Sequence, residues 1–331
     1  MRGIRTRPSS LRLLLSLALA LLLPACAPRE WPAGPATGSA HLANDAVLAA
    51  DGARLPMHAW PAEGPPRAVV LALHGLNDHS GLFLEDAGPL LAAAGIALYA
   101  YDQRGFGAAP DRGLWPGVDT LVADARSAIA LLRARHPGLP LVLMGESMGG
   151  AVALLAGEGA ADRVVLLAPA LWSREAMGPA LSGLLWFAAH TLPILGFQNS
   201  APGYRASDND AALRRMGRDP LVLHTTRVEV LWGVTNLMDA AVASLPGCCA
   251  TPTLVLVGAK DQIVPQNPVR RALRGARLTV ARYEDGYHLL LRDSIRDTVA
   301  QDLLAWIAAP GAALPSGADA AGRAWLSQPD P

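Results

Sequence analysis

The chain has 331 residues, of which 51% are hydrophobic and 17% are charged, so it can bury a large core and is not a disordered chain. Its 28 basic and 28 acidic residues give a formal charge of zero, which excludes the basic excess typical of nucleic-acid-binding proteins. It has no Cys-x-x-Cys pair, no His-Glu-x-x-His motif and no phosphate-binding loop, so the sequence predicts no metal and no organic cofactor.

The first 25 residues have the features of an export signal. Four arginines precede or adjoin the apolar run Leu13–Leu23, whose eleven residues are fewer than the roughly 20 needed to span a bilayer. The run ends in Leu23-Pro24-Ala25-Cys26, which resembles the lipobox of bacterial lipoproteins. In such proteins the leader is cut before the cysteine, which is then lipidated. The sequence therefore predicts a lipoprotein signal peptide over residues 1–25, with the alternative that the leader is cut nearby and Cys26 has no role.

A lipidated Cys26 would anchor the protein to a membrane. Ala27 rather than Asp follows it, which by the same resemblance favours the outer membrane of a Gram-negative envelope, facing the periplasm. Residues 26–41 are rich in Pro, Gly and Ala, and we expect them to form a flexible tether to the folded body.

Two extended segments open the body, followed by buried strands that alternate with helices. Ala46–Ala50 and Arg54–Trp60 flank Asp51-Gly52, a pair typical of a tight turn. Apolar runs and helical spacing then predict strands at Ala68–Leu73, Ile96–Tyr101, Pro140–Met144 and Val164–Leu167, and helices at Val118–Arg135 and Ser147–Ala156. Fully apolar strands separated by helices predict a mostly parallel sheet covered on both faces.

The alternation stops after Pro169 and returns near residue 250. The segment of about 170–250 is strongly apolar, and we expect an inserted helical cap whose side chains are divided between its own core and a pocket. Strands are predicted again at Thr253–Val257 and Arg277–Tyr283, and helices at Pro268–Arg274 and Ile295–Ile307. The folded domain should span 42–309, and the Ala-, Gly- and Pro-rich residues 310–331 should form a flexible tail.

Gly145-Glu146-Ser147-Met148-Gly149 matches the Gly-x-Ser-x-Gly pattern of a nucleophile elbow. A short strand is predicted before it and a helix of small residues after it, which is the context that the pattern requires. The tight turn needs neighbours without bulky side chains, and Gly145 and Gly149 meet that need. The sequence thus predicts that Ser147 is a nucleophile at the carboxyl edge of the sheet.

A serine hydroxyl needs a base, and in folds with this elbow the order along the chain is serine, acid, histidine. Among the eight histidines, His288 follows the last predicted strand and fits the base. Asp261 follows the strand Thr253–Val257 and is the first candidate for the acid that fixes the imidazole tautomer, unless it only caps the next helix. Asp285 is the second candidate, although its closeness to His288 along the chain restricts how it can be aimed.

An oxyanion intermediate needs two backbone donors. One should be the N–H of Met148, directly after the nucleophile. The other should come from His74-Gly75-Leu76, after the strand Ala68–Leu73, with Leu76 N–H as the donor and Gly75 allowing close approach.

Together these motifs resemble the monoacylglycerol lipase and lysophospholipase branch of the α/β-hydrolases. The resemblance covers about residues 45–308 and is weakest across 170–250. It is carried by His74-Gly75-Leu76-Asn77-Asp78-His79-Ser80, Tyr101-Asp102-Gln103-Arg104-Gly105-Phe106-Gly107, Gly145-Glu146-Ser147-Met148-Gly149-Gly150, Asp261 and His288. It implies the α/β-hydrolase fold, a Ser–Asp–His triad and a helical cap around an acyl-chain pocket. The Asp102 motif is interpreted as a structural turn.

The sequence therefore predicts a serine hydrolase that cleaves carboxylic esters through an acyl-enzyme. The resemblance and the Leu- and Trp-rich cap favour a monoacylglycerol or lysophospholipid substrate. Two alternatives stay open: a small-ester esterase or peptide-type amide hydrolase, and a non-catalytic lipoprotein that binds a ligand with its cap.

Cys248 and Cys249 are the remaining cysteines. Adjacent Cα atoms lie about 3.8 Å apart, below the usual disulfide range of about 4.4–6.8 Å. A bond between them would be strained, so the sequence implies no disulfide framework and leaves the role of this pair open.

Overall fold

The computed structural model describes residues 27–199 and 203–329. The signal peptide predicted over 1–25 and the predicted lipidation site Cys26 lie outside the described residues. No helix within the described ranges is long and apolar enough to cross a membrane. In those ranges the strands are β1 His41–Leu42, β2 Ala46–Leu48, β3 Arg54–Trp60, β4 Ala68–Leu73, β5 Ile96–Tyr101, β6 Leu141–Glu146, β7 Arg163–Leu167, β8 Gly196–Gln198, β9 Thr225–Arg227, β10 Thr253–Gly258 and β11 Thr279–Tyr283. The helices are α1 Ser80–Phe83, α2 Gly88–Ala93, α3 Val118–Arg135, α4 Met148–Gly157, α5 Arg174–Thr191, α6 Asp210–Arg218, α7 Val228–Ser244, α8 Gln266–Leu273, α9 Arg296–Ala308 and α10 Ala318–Leu326.

The main sheet has nine strands in the order β1-β2-β3-β5-β4-β6-β7-β10-β11. The strands from β5 to β11 in that order are parallel, whereas β1, β2 and β3 add an antiparallel edge. The prediction of a mostly parallel sheet flanked by helices is confirmed. Asp51-Gly52 forms the predicted turn between β2 and β3, with Gly52 at φ 88°.

Each buried strand supplies side chains to two cores because successive residues point to opposite faces. Along β4, Val69, Leu71 and Leu73 join the core that contains residues of α3, α4, α7 and α8. Val70 and Ala72 join the other core, with residues of α1, α2 and α9. This arrangement explains why β4 is buried and apolar along its whole length.

The segment between β7 and β10 contains α5, α6, α7 and the small antiparallel pair β8–β9. Helix α7 packs against α4, and α5 packs against α7. Helix α5 is kinked at Gly178 (φ 78°), which is followed by Pro179. Ala189 is the one fully buried residue of α5, and the other residues of this helix are half-buried or exposed.

Many of the apolar cap side chains, which we expect to divide between a cap core and a pocket, are exposed. Leu184, Phe187 and Ile194 are 64%, 58% and 72% exposed. Nine large apolar side chains between residues 181 and 204 are exposed in the described structure: Leu181, Leu184, Trp186, Phe187, Leu192, Ile194, Leu195, Phe197 and Tyr204.

The described part of the predicted tether is bound to the domain rather than flexible. The N–H of Trp31 donates to Trp115 O at 2.7 Å, and the N–H of Thr37 donates to Ala50 O at 2.7 Å. The expectation that 26–41 is flexible followed from composition alone. The backbone of a Pro- and Gly-rich segment still offers hydrogen-bond donors and acceptors to a neighbouring surface.

The predicted flexible tail is also wrong for most of residues 310–331. Helix α10 packs against β11, and Trp325 is 4% exposed in the core. A Cβ at Gly322 would lie 2.0 Å from Val280 O, so the helix approaches the strand at a residue without a side chain. The apolar face of this short helix holds few large residues, which is why composition did not reveal it.

The structure settles the state of the cysteine pair, which the sequence left open. Cys248 and Cys249 form a disulfide with their Cα atoms 3.8 Å apart. They lie in the loop between α7 and β10, where Gly247 and Cys249 have φ of 80° and 74°. This turn, rather than an extended backbone, brings the two sulfur atoms together.

We predict that Trp325→Ala lowers the free energy of unfolding by about 3–5 kcal/mol, because it leaves a cavity between α10 and the sheet. Urea denaturation measures the change. Trp186→Ala is the matched control: this ring is 54% exposed, so its loss should cost about 1 kcal/mol or less. Equal effects of the two substitutions would contradict a docked C-terminal helix.

Candidate active site

The carboxyl ends of the parallel strands meet at one edge of the sheet. Leu73 at the end of β4 pairs with Gly145 of β6, and Glu146 pairs with Leu167 at the end of β7. Gly258 at the end of β10 pairs with Tyr283 at the end of β11. The loops that follow β4, β6, β10 and β11 carry the residues singled out in the sequence, so the topology brings them to the same edge.

Ser147 lies on a tight turn between β6 and α4. Its φ is 54° and its ψ is −114°, outside the ordinary regions for a residue with a side chain. The turn is held by the N–H of Ser147, which donates to Leu167 O at 2.9 Å, and by the N–H of Ala170, which donates to Ser147 O at 3.0 Å. The elbow geometry expected for Ser147 is therefore present.

The two glycines of the elbow are needed because backbone segments lie against them. A Cβ at Gly145 would lie 2.1 Å from Gly149 O, and a Cβ at Gly149 would lie 2.3 Å from Leu73 O. Backbone atoms cannot move aside as a flexible side chain can, so any larger residue would open the turn.

His288 and Asp261 form a buried pair. His288 Nδ1 lies 2.8 Å from Asp261 Oδ2, and both side chains are nearly inaccessible to solvent. The other carboxylate oxygen, Asp261 Oδ1, accepts hydrogen bonds from the N–H groups of Ile263 and Val264. Asp261 thus fixes the loop that follows it and orients the imidazole at the same time, one oxygen for each.

The carboxylate of Asp261 makes His288 a stronger base. Burial opposes the charged imidazolium, but the negative charge and hydrogen bond of Asp261 outweigh it, so the pKa of His288 is raised above its ordinary value. With Nδ1 protonated toward Asp261, Nε2 carries the lone pair that can accept a proton.

The second acid candidate, Asp285, lies elsewhere. Its carboxylate is 74% exposed and pairs with Lys260 Nζ at 2.7 Å. The structure therefore brings Asp261, and not Asp285, to His288.

The expected oxyanion donors lie on either side of Ser147. Met148 is the first residue of α4, where an N–H has no partner inside the helix. Leu76 lies in a turn closed by the N–H of Asp78, which donates to Gly75 O at 3.3 Å. A Cβ at Gly75 would lie 3.4 Å from Ser147 Cβ, so this turn reaches the nucleophile. Within the described residues, no hydrogen bond occupies either Leu76 N–H or Met148 N–H.

His74 has a structural place beneath this turn. The N–H of Gln103 donates to His74 Nε2 at 3.0 Å, so Nδ1 carries the proton and donates to Gly75 O at 2.8 Å. Burial lowers the pKa of His74, which keeps the ring neutral. Asp102 is also structural, since it accepts hydrogen bonds from the N–H groups of Ser80 and Ala108.

Sequence reasoning missed the buried residues next to these loops. Arg292, four residues after His288, forms ion pairs with Asp78 and Glu146. No motif marks Arg292, and its partners are far away along the chain, so only the fold reveals the cluster. Within the described ranges no group of three His, Cys, Asp or Glu residues could hold a metal ion.

Comparisons with known proteins agree with this geometry. Residues 64–295 match the Hydrolase_4 family, described as serine aminopeptidase, S33. The chain is 27% identical over 280 residues to a monoacylglycerol lipase of Mycolicibacterium smegmatis, covering 77% of this chain and 93% of that protein. It is 26% identical over 299 residues to the human monoglyceride lipase, covering 85% and 94% of the two chains. The solved structure of Paleococcus ferrophilus monoacylglycerol lipase superposes with a TM-score of 0.61 at 26% identity, covering 76% of this chain and 98% of that chain.

We predict that Asp261→Asn keeps the fold but lowers kcat by up to about 10⁴-fold, because the amide no longer holds the proton on His288 Nδ1. Steady-state kinetics on a short-chain p-nitrophenyl ester, with thermal melting as the check of folding, measures the effect. Asp285→Asn is the matched control and should keep kcat within about 2-fold, since it removes only an exposed pair. A crippled Asp285→Asn beside an active Asp261→Asn would overturn the assignment.

Proposed function

The chain belongs to the Hydrolase_4 family, described as serine aminopeptidase, S33, and we propose that it hydrolyses monoacylglycerol-type esters through an acyl-enzyme on Ser147. The chain is a serine ester hydrolase of the α/β-hydrolase fold. The substrate class and the roles of the individual residues are the proposal.

In the proposed reaction His288 Nε2 takes the proton of the Ser147 hydroxyl as Oγ bonds to the ester carbonyl carbon. The negative carbonyl oxygen accepts hydrogen bonds from Leu76 N–H and Met148 N–H. His288 then gives its proton to the leaving alcohol as the ester C–O bond breaks. Water, deprotonated by the same imidazole, releases the fatty acid and restores Ser147.

The apolar segment of 181–204 is the observation that carries the choice of a lipid substrate. It lies within the longer segment 170–206, whose two ends contact the loops of the site: the N–H of Ala170 donates to Ser147 O at 3.0 Å, and the N–H of Leu289 donates to Ala206 O at 2.9 Å. The nine exposed apolar side chains therefore belong to a segment that begins beside the nucleophile and returns beside His288. Such a surface favours an acyl chain leaving water over a polar substrate.

The alternatives are not favoured. The relatives from Mycolicibacterium smegmatis and human are monoacylglycerol lipases by their names, which supports an ester over a peptide bond. The strained Ser147 and the buried Asp261–His288 pair serve no purpose in a protein that only binds a ligand.

We predict that kcat/KM rises with acyl-chain length. Each methylene that leaves water contributes about 0.8 kcal/mol, so a few added carbons should raise kcat/KM by about one to two orders of magnitude. The measurement is hydrolysis of a series of monoacylglycerols from about two to about sixteen carbons, below their aggregation concentrations. A steady fall beyond about four carbons would leave a small-ester esterase instead.

Ser147→Ala is the control in the same series, since it should abolish turnover at every chain length. A fluorophosphonate probe should label the native enzyme and not this variant. Labelling that persists in Ser147→Ala would place the nucleophile at another residue.

We further propose that the protein is exported and held at the cell envelope by lipidated Cys26, in the outer membrane facing the periplasm. The short apolar leader and the lipobox-like run ending in Cys26 support this location. Stable anchoring needs two or more acyl chains, which lipidation of an N-terminal cysteine supplies.

For this location, we predict that the native protein fractionates with membranes, whereas Cys26→Ala gives soluble or unprocessed enzyme. Mass spectrometry of the mature N-terminus identifies the modification. Cys248→Ala is the matched control and should stay in the membrane fraction. A native protein that is soluble and carries an unmodified N-terminus would refute the anchor.

A further inference from the structure

Three ionised side chains are buried together behind the candidate active site. Arg292 Nη1 lies 2.7 Å from Asp78 Oδ2, and Arg292 Nη2 donates to Glu146 Oε1 at 2.6 Å. Each of the three side chains is at most 2% exposed. We call Arg292, Asp78 and Glu146 the Arg292 cluster.

The members of the cluster come from three different loops of the site. Asp78 closes the turn that contains Leu76, one expected oxyanion donor. Glu146 directly precedes Ser147 at the end of β6. Arg292 lies four residues after His288, and its N–H donates to Leu289 O at 2.8 Å, which closes the turn behind the histidine. One guanidinium therefore connects the oxyanion turn, the nucleophile elbow and the histidine loop.

Glu146 also contacts the oxyanion turn directly. A Cβ at Gly75 would lie 3.6 Å from Glu146 Oε1, so the carboxylate is packed against the backbone of that turn. In addition, the backbone carbonyl of Arg292 accepts a hydrogen bond at 3.0 Å from Nδ2 of Asn209, the residue directly before α6. The cluster thus has little freedom to shift without moving the loops around it.

Burying three ions is costly, and an ion pair of this kind is weak evidence for stability. What it supplies is geometry: the planar guanidinium holds its two carboxylate partners in two fixed directions, through a hydrogen bond to Glu146 and an ion pair with Asp78, which a single ammonium does less well. Small displacements of reacting groups lower rates steeply, so a fixed arrangement of three loops is directly useful for catalysis.

We propose that Arg292 is a positioning residue that holds Asp78 and Glu146, and with them Leu76 and Ser147, in register with His288. This inference rests on the proposed roles of Ser147, His288 and Leu76. Arg292 itself does not touch the substrate in this arrangement.

The cluster also acts on His288 through charge. The groups that face this imidazole are Asp261, Glu146 and Arg292: both carboxylates raise the pKa of His288, and the guanidinium lowers it. Burial raises the pKa of Glu146, which Arg292 counteracts by stabilising the carboxylate. The effects of geometry and charge can therefore be separated with two variants: one changes the geometry of the Arg292 side chain and keeps its charge, and the other removes the charge of Glu146 and keeps its shape.

Arg292→Lys keeps the positive charge but not the two-pronged geometry. In the full-length enzyme on a short-chain ester, we expect kcat to fall about 10- to 100-fold with KM within about 2-fold. Arg54→Lys, at an exposed pair with Asp45, is the matched control and should leave both constants unchanged. A folded Arg292→Lys enzyme with native kcat would overturn the proposal.

Glu146→Gln tests the same cluster without the risk of an unpaired buried arginine, since the amide oxygen still accepts from Arg292. Removing the negative charge should lower the pKa of His288, so the acid limb of the kcat/KM profile should move to lower pH. Because the guanidinium keeps an acceptor in Glu146→Gln, a loss of kcat as large as that of Arg292→Lys would show that charge and not position matters, and it would overturn the proposal. Native turnover in the same assay tests the proposed function separately, because only the ratio of variant to native enzyme reports on the cluster.

Discussion

The backbone around Ser147 is the constraint on which the rest of the site depends. A positive φ in a residue with a side chain costs about 1–3 kcal/mol, and the turn persists because β4 and β7 hold it from both sides. Leu73 O lies where a Cβ of Gly149 would be, so the elbow and the end of β4 form one tightly packed unit. The position of the oxyanion turn therefore follows from the elbow, since that turn begins directly after β4.

Asp261 and His288 form the other half of the site, which is also fixed by close packing of backbone atoms. A Cβ at Gly258 would lie 2.2 Å from Tyr287 O, so the loop of the acid and the loop of the histidine touch through backbone atoms. This contact fixes the spacing of the two loops that carry Asp261 and His288. The two halves belong to one sheet through the pairing of β7 with β10, and Arg292 adds ion pairs from the histidine loop to the elbow and the oxyanion turn. Close backbone packing within each half, together with the ion pairs of Arg292, fixes the geometry of the site with few residues.

The sequence predicts this site better than it predicts the surroundings, for a physical reason. The elbow and the acid each follow a strand that is mainly one apolar run, and β3, β4, β5 and α3 have the predicted bounds. Arg292 gives no local signal, because its value lies in partners 146 and 214 positions away along the chain. Helix α10 and the segment at Trp31 are likewise fixed by long-range contacts, and their Ala-, Gly- and Pro-rich composition has no periodicity that would reveal them.

The cap shows a further limit of prediction from the sequence. Its apolar residues are evident in the sequence, but apolar content alone does not say whether a helix faces a core, a pocket or solvent. The structure leaves Leu184 and Phe187 of α5 exposed, although the segment is also held away from its ends, where the N–H groups of Val228 and Glu229 donate to Leu195 O and Pro193 O. The packed edge of the sheet and the exposed apolar cap thus serve two different demands: fixed geometry for bond cleavage, and an apolar surface for the proposed acyl-chain substrate.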